Sequence, residues 1–197
     1  MQLLLTVLMA SLTFTDGFRN FCLTNIWLFW VCLIVSICVA IPLICFRSVS
    51  RTVPNNYICL GVWTFCEAYM VSVCCATYEP SVVISAAALT CAVTVALTLY
   101  AYNTKTDFTF MGGMLWVAVC ILFFAGFLCF FLPALRVLYC VIGVIIYSIY
   151  LIYDTQLVMG KFGNEYEIDD YVIAALMIYI DIIQIFLYLL QLLGNRR

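Results

Sequence analysis

Two aspartates lie inside hydrophobic stretches of the chain, where a membrane protein tolerates charge poorly. Asp154 is in RVLYCVIGVIIYSIYLIYDTQLVMG, and Asp181 is in YVIAALMIYIDIIQIFLYLLQLLG. A charged side chain near the middle of a bilayer costs at least about 2.5–3.5 kcal/mol on insertion scales, so such residues usually face a pathway or a site. We therefore expect these two acids, called the dyad below, to carry the chemistry of the protein.

The chemistry of such a dyad follows from its charge. Two neighbouring carboxyl groups in a low dielectric cannot both ionise cheaply, so they share a proton and titrate as a pair. The chain contains no histidine, which leaves the dyad as the best candidate for a proton sensor. When ionised, the two carboxylates offer hard oxygen ligands, and with carbonyls and water they would make a weak calcium site.

Helical periodicity predicts that both aspartates lie on polar stripes. Residues spaced three and four apart form one face of the last segment: Ala174, Met177, Asp181, Gln184, Tyr188 and Gln191. The preceding segment has the same spacing at Tyr139, Gly143, Tyr147, Tyr150 and Asp154. We expect the stripes to face each other or a shared cavity, lined or supported by Tyr147, Tyr150, Gln184 and Tyr188.

Three further charged residues are candidates for the same site. Glu67 is a third acid within a hydrophobic segment; it either joins the cavity, pairs with an arginine, or stays protonated and hydrogen-bonded within the bundle. Arg47 and Arg51 flank the second segment. They act either as anchors at the membrane interface or as a latch on a carboxylate. The acidic stretch Glu165, Glu167, Asp169 and Asp170 is interpreted as a solvated connection.

The elements that position these residues are hydrophobic helices. Of the 197 residues, 68% are hydrophobic and 9% are charged, which excludes a soluble domain. The apolar runs are continuous and long enough to cross a bilayer as helices, and they lack the alternation of a β-barrel. The sequence predicts one all-α membrane domain over residues 1–197 with seven segments: Met1–Thr15, Leu23–Phe46, Tyr57–Thr77, Ser81–Tyr102, Phe110–Leu132, Arg136–Met159 and Tyr171–Leu193.

The first segment has two interpretations. It is short for a span, so it is either a first helix that lacks part of its N-terminal end or the hydrophobic region of a signal peptide. We favour the helix, because no basic region precedes it and no clear cleavage site follows.

The twelve cysteines nearly all fall inside the predicted spans. Without CxxC spacing or histidine they are interpreted as small packing residues, not as metal ligands. We expect no cofactor and no resident metal. The sequence has no basic patch for nucleic acid.

Several motifs resemble the transmembrane Bax-inhibitor-motif family, in particular its lifeguard and Golgi anti-apoptotic branches. Tyr-Asp-Thr-Gln-Leu-Val-Met-Gly at 153–160, Asp-Asp-Tyr-Val-Ile-Ala-Ala-Leu at 169–176 and the stretch 179–190 are similar to its C-terminal signature. The stretches 51–56, 64–70 and 104–109 are similar to its loop before the third helix, its third helix and its loop after the fourth helix.

The resemblance implies a seven-helix fold in which the last helix is central and wrapped by the other six. It implies a pH-sensitive calcium leak, with Asp154 and Asp181 as the sensing dyad and calcium as the transported ion. By the same resemblance, Arg51 or Arg47 latches the closed form, and the protein suppresses apoptosis by lowering store calcium in the endoplasmic reticulum or Golgi, or acts at the plasma membrane. Apoptosis regulators or calcium-release channels are its expected partners, besides lipid.

This chain departs from the family pattern in two places. It opens at Met-Gln-Leu-Leu-Leu-Thr, where family members already run through their first helix, so we expect that the cytosolic N-terminal region is missing. Gln184 stands where most members carry asparagine.

Two other functions are compatible with part of the sequence. An intramembrane aspartyl protease also pairs a Tyr-Asp with a second aspartate, but it needs Gly-x-Gly-Asp where this chain has Ile-Tyr-Ile-Asp at 178–181. We therefore expect no enzyme activity. A non-conducting scaffold that binds death regulators through its loops stays open, and ion flux through the purified protein separates it from a channel.

Overall fold

The structure is a computed structural model that describes residues 1–163 and 166–194, except for the side chains of Arg47, Phe130 and Ile168. Its described part contains helices and no β-strand. The α-helices are α1 (Gln2–Leu12), α2 (Asp16–Thr24), α3 (Ile26–Cys45), α4 (Arg47–Arg51), α5 (Asn55–Ala76), α6 (Pro80–Asn103), α7 (Gly112–Phe131), α8 (Arg136–Met159) and α9 (Tyr171–Leu193). Short 3₁₀ turns precede α7, α8 and α9 at Thr109–Met111, Pro133–Leu135 and Ile168–Asp170.

Six of these helices are long and apolar enough to cross a membrane, counting only the described residues: α3, α5, α6, α7, α8 and α9. This confirms the predicted all-α membrane class. The helices α8 and α9 begin and end at the residues that the sequence predicts. The first predicted segment forms α1, an apolar helix of 11 residues. At the usual rise, α1 is about 16 Å long, shorter than a hydrocarbon core of about 30 Å.

Two short helices lie where the sequence predicted connections. Asn25 separates α2 from α3, because its side-chain Nδ2 donates to the carbonyl of Phe21 at 3.0 Å and ends the first of the two helices. The predicted second span therefore starts at Ile26 and not at Leu23. The second short helix, α4, begins directly after Phe46, which has extended backbone angles and interrupts the helical run.

The chain forms two compact units, and α6 and α9 contribute residues to both. Unit 1 consists of Met1–Val83 together with Glu167–Tyr179, and unit 2 of Ile84–Tyr166 together with Ile180–Gly194. The most enclosed of the long helices are α5 and α9, each with 56% of its central stretch buried, against 11–22% in the other four. These two helices therefore carry many of the buried side chains of the chain.

Unit 1 is built around α5, against which α1, α2 and α3 pack. Small side chains such as Ala68 and Ser72, both fully buried, let the neighbouring helices approach closely. Cys22, Tyr69 and Ala76 form a buried cluster in this unit. At the C-terminal end of α5, Arg19 of α2 donates from Nε to the carbonyl of Ala76 at 3.0 Å.

The first helix is fastened to unit 1 by polar contacts. Gln2 donates from Nε2 to the hydroxyl of Thr64 at 3.2 Å, and the hydroxyls of Thr6 and Tyr179 are 2.7 Å apart. The ring of Tyr179 also packs edge-on against Trp63. A short apolar helix thus becomes an integral part of the unit.

Unit 2 is built on the pairing of α7 with α8. Leu122, Cys140 and Tyr188 form its buried cluster, so the C-terminal half of α9 also belongs to this core. The helix α8 ends at Gly160, whose φ of 62° lies in the left-handed region that favours glycine at helix ends.

Candidate functional site

The two aspartates of the dyad lie together in unit 2. Asp154 is near the C-terminal end of α8 and Asp181 is on α9, and they are 5% and 3% exposed. Their carboxyl groups are close enough to share a hydrogen bond. A hydrogen bond between two carboxyl groups needs a proton on one of them. The geometry therefore brings together the two acids that the periodicity predicted to face each other.

The dyad is incompletely satisfied. The Oδ2 atom of Asp181 is buried and has no hydrogen-bond donor among the described residues. No lysine or arginine in the described part of unit 2 forms an ion pair with either acid. Ionised, such a pair would need a cation or water to offset the charge.

In the part of the chain that the structure describes, the two carboxyl groups of the dyad are the acidic ligands that a cation would meet there. Within the described residues, no group of three or more histidine, cysteine, aspartate or glutamate side chains could hold a metal ion. Calcium takes 6–8 oxygen ligands, so two carboxylates could supply only part of its shell. The chemistry of this donor set suits a passing ion that keeps some of its water, and it suits proton binding.

The loop beside the dyad is held by Gln156, two residues after Asp154. This side chain is fully buried. Its Oε1 accepts from the backbone N–H of Phe108 at 2.8 Å, and its Nε2 donates to the carbonyl of Thr106 at 2.9 Å. Lys161 donates to the carbonyl of Tyr102 in the last turn of α6 and to the carbonyl of Thr104 in the same loop. The polar stripe predicted for this segment does not include Gln156, although a glutamine inside a hydrophobic segment signals a buried polar partner.

The tyrosines of the two stripes pack against each other in unit 2. The ring of Tyr188 contacts those of Tyr139 and Tyr147, with centroids 5.5 Å and 5.9 Å apart. Tyr147 and Tyr150 lie close enough to Asp181 to interact with it electrostatically. Gln184, one turn beyond Asp181 on α9, is half-buried.

Glu67 belongs to unit 1, whereas the dyad belongs to unit 2. The hydroxyl of Ser36 on α3 donates to Glu67 Oε1 at 2.6 Å. Of the alternatives that the sequence left open, the structure has the hydrogen-bonded carboxyl within the helix bundle.

Arg51 is bound by two acids of the stretch that precedes α9. Its Nε and Nη2 donate to the two carboxylate oxygens of Asp170 at 2.8 Å and 2.9 Å, and its Nη1 lies 2.7 Å from Glu167 Oε2. The hydrogen bonds that Arg51 donates to Asp170 and to Glu167 raise the pKa of its guanidinium further above its usual value.

The sequence left Arg51 either as an interface anchor or as a latch on a carboxylate, and it treated Glu167 and Asp170 as a solvated connection. The structure pairs these two acids with Arg51. Residues more than a hundred positions apart meet here, which no local pattern could indicate. The side chain of Arg47, the other latch candidate, lies outside the described residues.

These features define a class: a multi-pass, all-α membrane protein with a buried acid pair in its helices. The whole chain, residues 1–197, matches the family described as inhibitor of apoptosis-promoting Bax1. The chain belongs to this family.

Individual relatives agree with the family assignment. Protein lifeguard 3 of Homo sapiens is 33% identical over 202 residues, which cover 99% of this chain and 65% of that protein. Protein lifeguard 3 of Mus musculus is 32% identical with the same coverage. Protein LIFEGUARD 4 of Arabidopsis thaliana is 32% identical over 170 residues, covering 83% of this chain and 66% of that protein. The chain thus spans just under two thirds of the length of these relatives.

Proposed function

We propose that this protein is a pH-sensitive calcium leak channel of internal membranes that lowers store calcium and thereby suppresses apoptosis. The observation that carries the proposal is the pairing of Asp154 with Asp181, both almost fully buried within apolar helices. Family membership supports the cellular role, since the family is described as inhibiting apoptosis-promoting Bax1.

The proposed mechanism uses the shared proton of the dyad. With one proton between them, the two carboxyl groups are hydrogen-bonded to each other and together carry a single negative charge. When that proton leaves, the two negative charges repel each other and attract a cation. Calcium occupancy of the dyad should therefore fall as the pH falls, because protons and calcium compete for the same oxygens.

Gating follows if the open and closed forms differ in their affinity for that proton. A ligand shifts a conformational equilibrium only by its difference in affinity between the two states. A few kcal/mol is the scale of shift that such a gate requires. The Oδ2 atom of Asp181, which has no hydrogen-bond partner among the described residues, is the atom at which the two forms can differ in proton affinity.

The test is calcium flux through purified protein in liposomes, measured from acidic to slightly alkaline pH. We expect wild-type flux to depend on pH and Asp181→Asn to remove this dependence, not merely to scale the flux. Glu67→Gln is the matched control, because it removes another carboxyl group from a span, outside the dyad. An unchanged pH profile in Asp181→Asn, or a flattened one in Glu67→Gln, would contradict the mechanism.

The same measurement separates the channel from the scaffold. A folded wild-type protein whose flux equals that of empty liposomes at every pH would favour the scaffold that binds death regulators. Fluorescence microscopy of the tagged chain tests the proposed location in the endoplasmic reticulum or Golgi against the plasma membrane.

A further inference from the structure

Five tyrosines of unit 2 form one continuous row of ring contacts, called the tyrosine row below. From Tyr139 the row passes to Tyr188, Tyr147, Tyr150 and Tyr153, with successive centroid distances of 5.5, 5.9, 5.8 and 6.4 Å. The hydroxyls of Tyr139 and Tyr188 are also 3.2 Å apart. Four of the rings are half-buried and that of Tyr188 is buried, so the row lies along the interior side of α8.

Glycines make room for the two ends and the middle of the row. A Cβ atom at Gly143 would lie 2.7 Å from the Tyr188 ring. A Cβ at Gly112 would lie 2.7 Å from the Tyr153 hydroxyl oxygen, and one at Gly126 would lie 3.0 Å from that of Tyr139. Each distance is shorter than an ordinary carbon contact, so a larger residue would displace the ring.

The contacts at the two ends of the row, Gly112 with Tyr153 and Gly126 with Tyr139, have the same spacing on both helices. Gly112 and Gly126 on α7 are separated by the same number of residues as Tyr153 and Tyr139 on the antiparallel α8. Phenol hydroxyls therefore lie against glycines of α7 at both ends of the row.

The tyrosine row begins beside the dyad and is long compared with the thickness of a membrane. Tyr153 is adjacent to Asp154, and Tyr139 is fourteen residues earlier in α8, a distance of about 21 Å at the usual rise. The hydrocarbon core is about 30 Å thick. The row therefore begins beside the dyad and ends near the start of α8, at Arg136.

We propose that the tyrosine row is the cation path between the dyad and the membrane face at the start of α8. This inference rests on the proposed function, because it names the residues that conduct calcium once the dyad releases it. The dyad would set the pH dependence, and the row would set the conductance.

The chemistry of tyrosine suits this role. A phenol oxygen can replace one water ligand of a hard cation, and the negative face of the ring attracts a cation without holding a counter-charge. Weak sites in sequence allow an ion both to enter and to leave, which conduction requires. The row contains no fixed charge and would therefore not trap calcium.

The first experiment removes hydroxyls and keeps the rings. Tyr139→Phe and Tyr188→Phe should each lower calcium flux in liposomes severalfold and leave the midpoint of the pH profile unchanged. Tyr100→Phe, on α6 and outside the row, is the control and should match wild type. Wild-type flux in both row variants, or a shifted midpoint with unchanged maximal flux, would overturn the proposal.

The second experiment does not depend on flux. Hydroxyl-radical footprinting in lipid nanodiscs oxidises aromatic side chains that meet water. We expect labelling of Tyr147 and Tyr150 and protection of Phe123 and Phe124, which are exposed on the outside of α7. A protected row would overturn this inference even if wild-type flux were pH-dependent. A labelled row in a protein without flux would refute the channel and with it the cation path.

Discussion

At the scale of single residues, Asp181 Oδ2 is the buried polar atom whose missing hydrogen bond costs the most among the described residues. The described chain has three buried side-chain oxygens without a hydrogen-bond partner: Tyr69 Oη, Thr94 Oγ1 and Asp181 Oδ2. Two of them belong to hydroxyls, whereas the third belongs to an acid, and leaving a carboxylate unpaired costs more than leaving a hydroxyl unpaired. Proteins break such packing rules mainly at functional sites, so the unpaired carboxyl oxygen indicates that the dyad is one.

Asp154→Asn should expose this cost. The asparagine amide can donate to Asp181 at any pH, so the repulsion between two carboxylates disappears. We expect the free energy of unfolding in detergent to rise at alkaline pH by about 1–3 kcal/mol, the usual cost of an unsatisfied buried polar group. The difference from wild type should vanish at acidic pH, where the native dyad already shares a proton. Equal stability of both proteins at alkaline pH would argue against a strained dyad.

Gly143 offers a second test at the residue scale. The Tyr188 ring cannot swing away from a new methyl group, because Tyr139 and Tyr147 pack against it. We expect Gly143→Ala to lower the free energy of unfolding by about 1–3 kcal/mol, which is the usual effect of overpacking. Gly113→Ala is the matched control: nothing lies within 4 Å of a Cβ there, and alanine favours a helix by about 0.5–1 kcal/mol. Similar effects in both variants would contradict the close packing of Tyr188.

At the scale of elements, short segments are fastened to the long helices by buried polar side chains. The junction in unit 1 joins α4 to the start of α9 through Arg51 and Asp170. Asn56, fully buried at the start of α5, donates to the Tyr171 hydroxyl at 2.9 Å beside it. Because α9 also carries Asp181, a change at this junction can reach the helix on which the dyad depends.

Breaking the Arg51 junction should therefore lower stability and raise the basal calcium leak. Arg51→Ala leaves Asp170 buried without its guanidinium, and Arg51→Lys keeps the charge but loses the paired hydrogen bonds. We expect the melting temperature to decrease in the order wild type, Arg51→Lys, Arg51→Ala. Adding Asp170→Asn to Arg51→Ala should cost little more, because the two residues act as a pair. Full additivity of the two changes, or wild-type leak in correctly inserted Arg51→Ala, would reduce Arg51 to an interface anchor.

In unit 2, the hydrogen bonds between Gln156 and the loop after α6 can be tested by removing its amide group. Gln156→Met keeps the size of the side chain but leaves Phe108 N–H and Thr106 C=O without their partner. Each unsatisfied group costs about 1–3 kcal/mol. We expect faster amide hydrogen exchange over residues 104–109 than in wild type, while the exchange of α5 in unit 1 stays the same. Unchanged protection of the loop would mean that Gln156 does not hold it.

At the scale of the whole molecule, hydropathy predicted the long helices well and contacts distant in sequence poorly. The ends of α8 and α9 follow from the change between apolar runs and turn residues, and the facing of Asp154 and Asp181 follows from a spacing of three and four. The short helices α2 and α4 are too polar or too short to stand out. The pairing of Arg51 with Asp170 and the seating of Tyr188 on Gly143 depend on how helices pack, which periodicity does not specify.

The last prediction concerns the cellular role, which needs the whole chain in its membrane. If calcium leak is the cause of protection, cells that express wild type should have lower store calcium and survive a Bax-dependent stimulus better than control cells. Asp181→Asn, expressed at the same level in the same membrane, should lose both effects together. Arg51→Ala should lower store calcium further. Cell survival retained in Asp181→Asn despite normal store calcium would separate protection from conduction and favour the scaffold, because a scaffold works through its loops and has no need of an acid pair inside the bilayer.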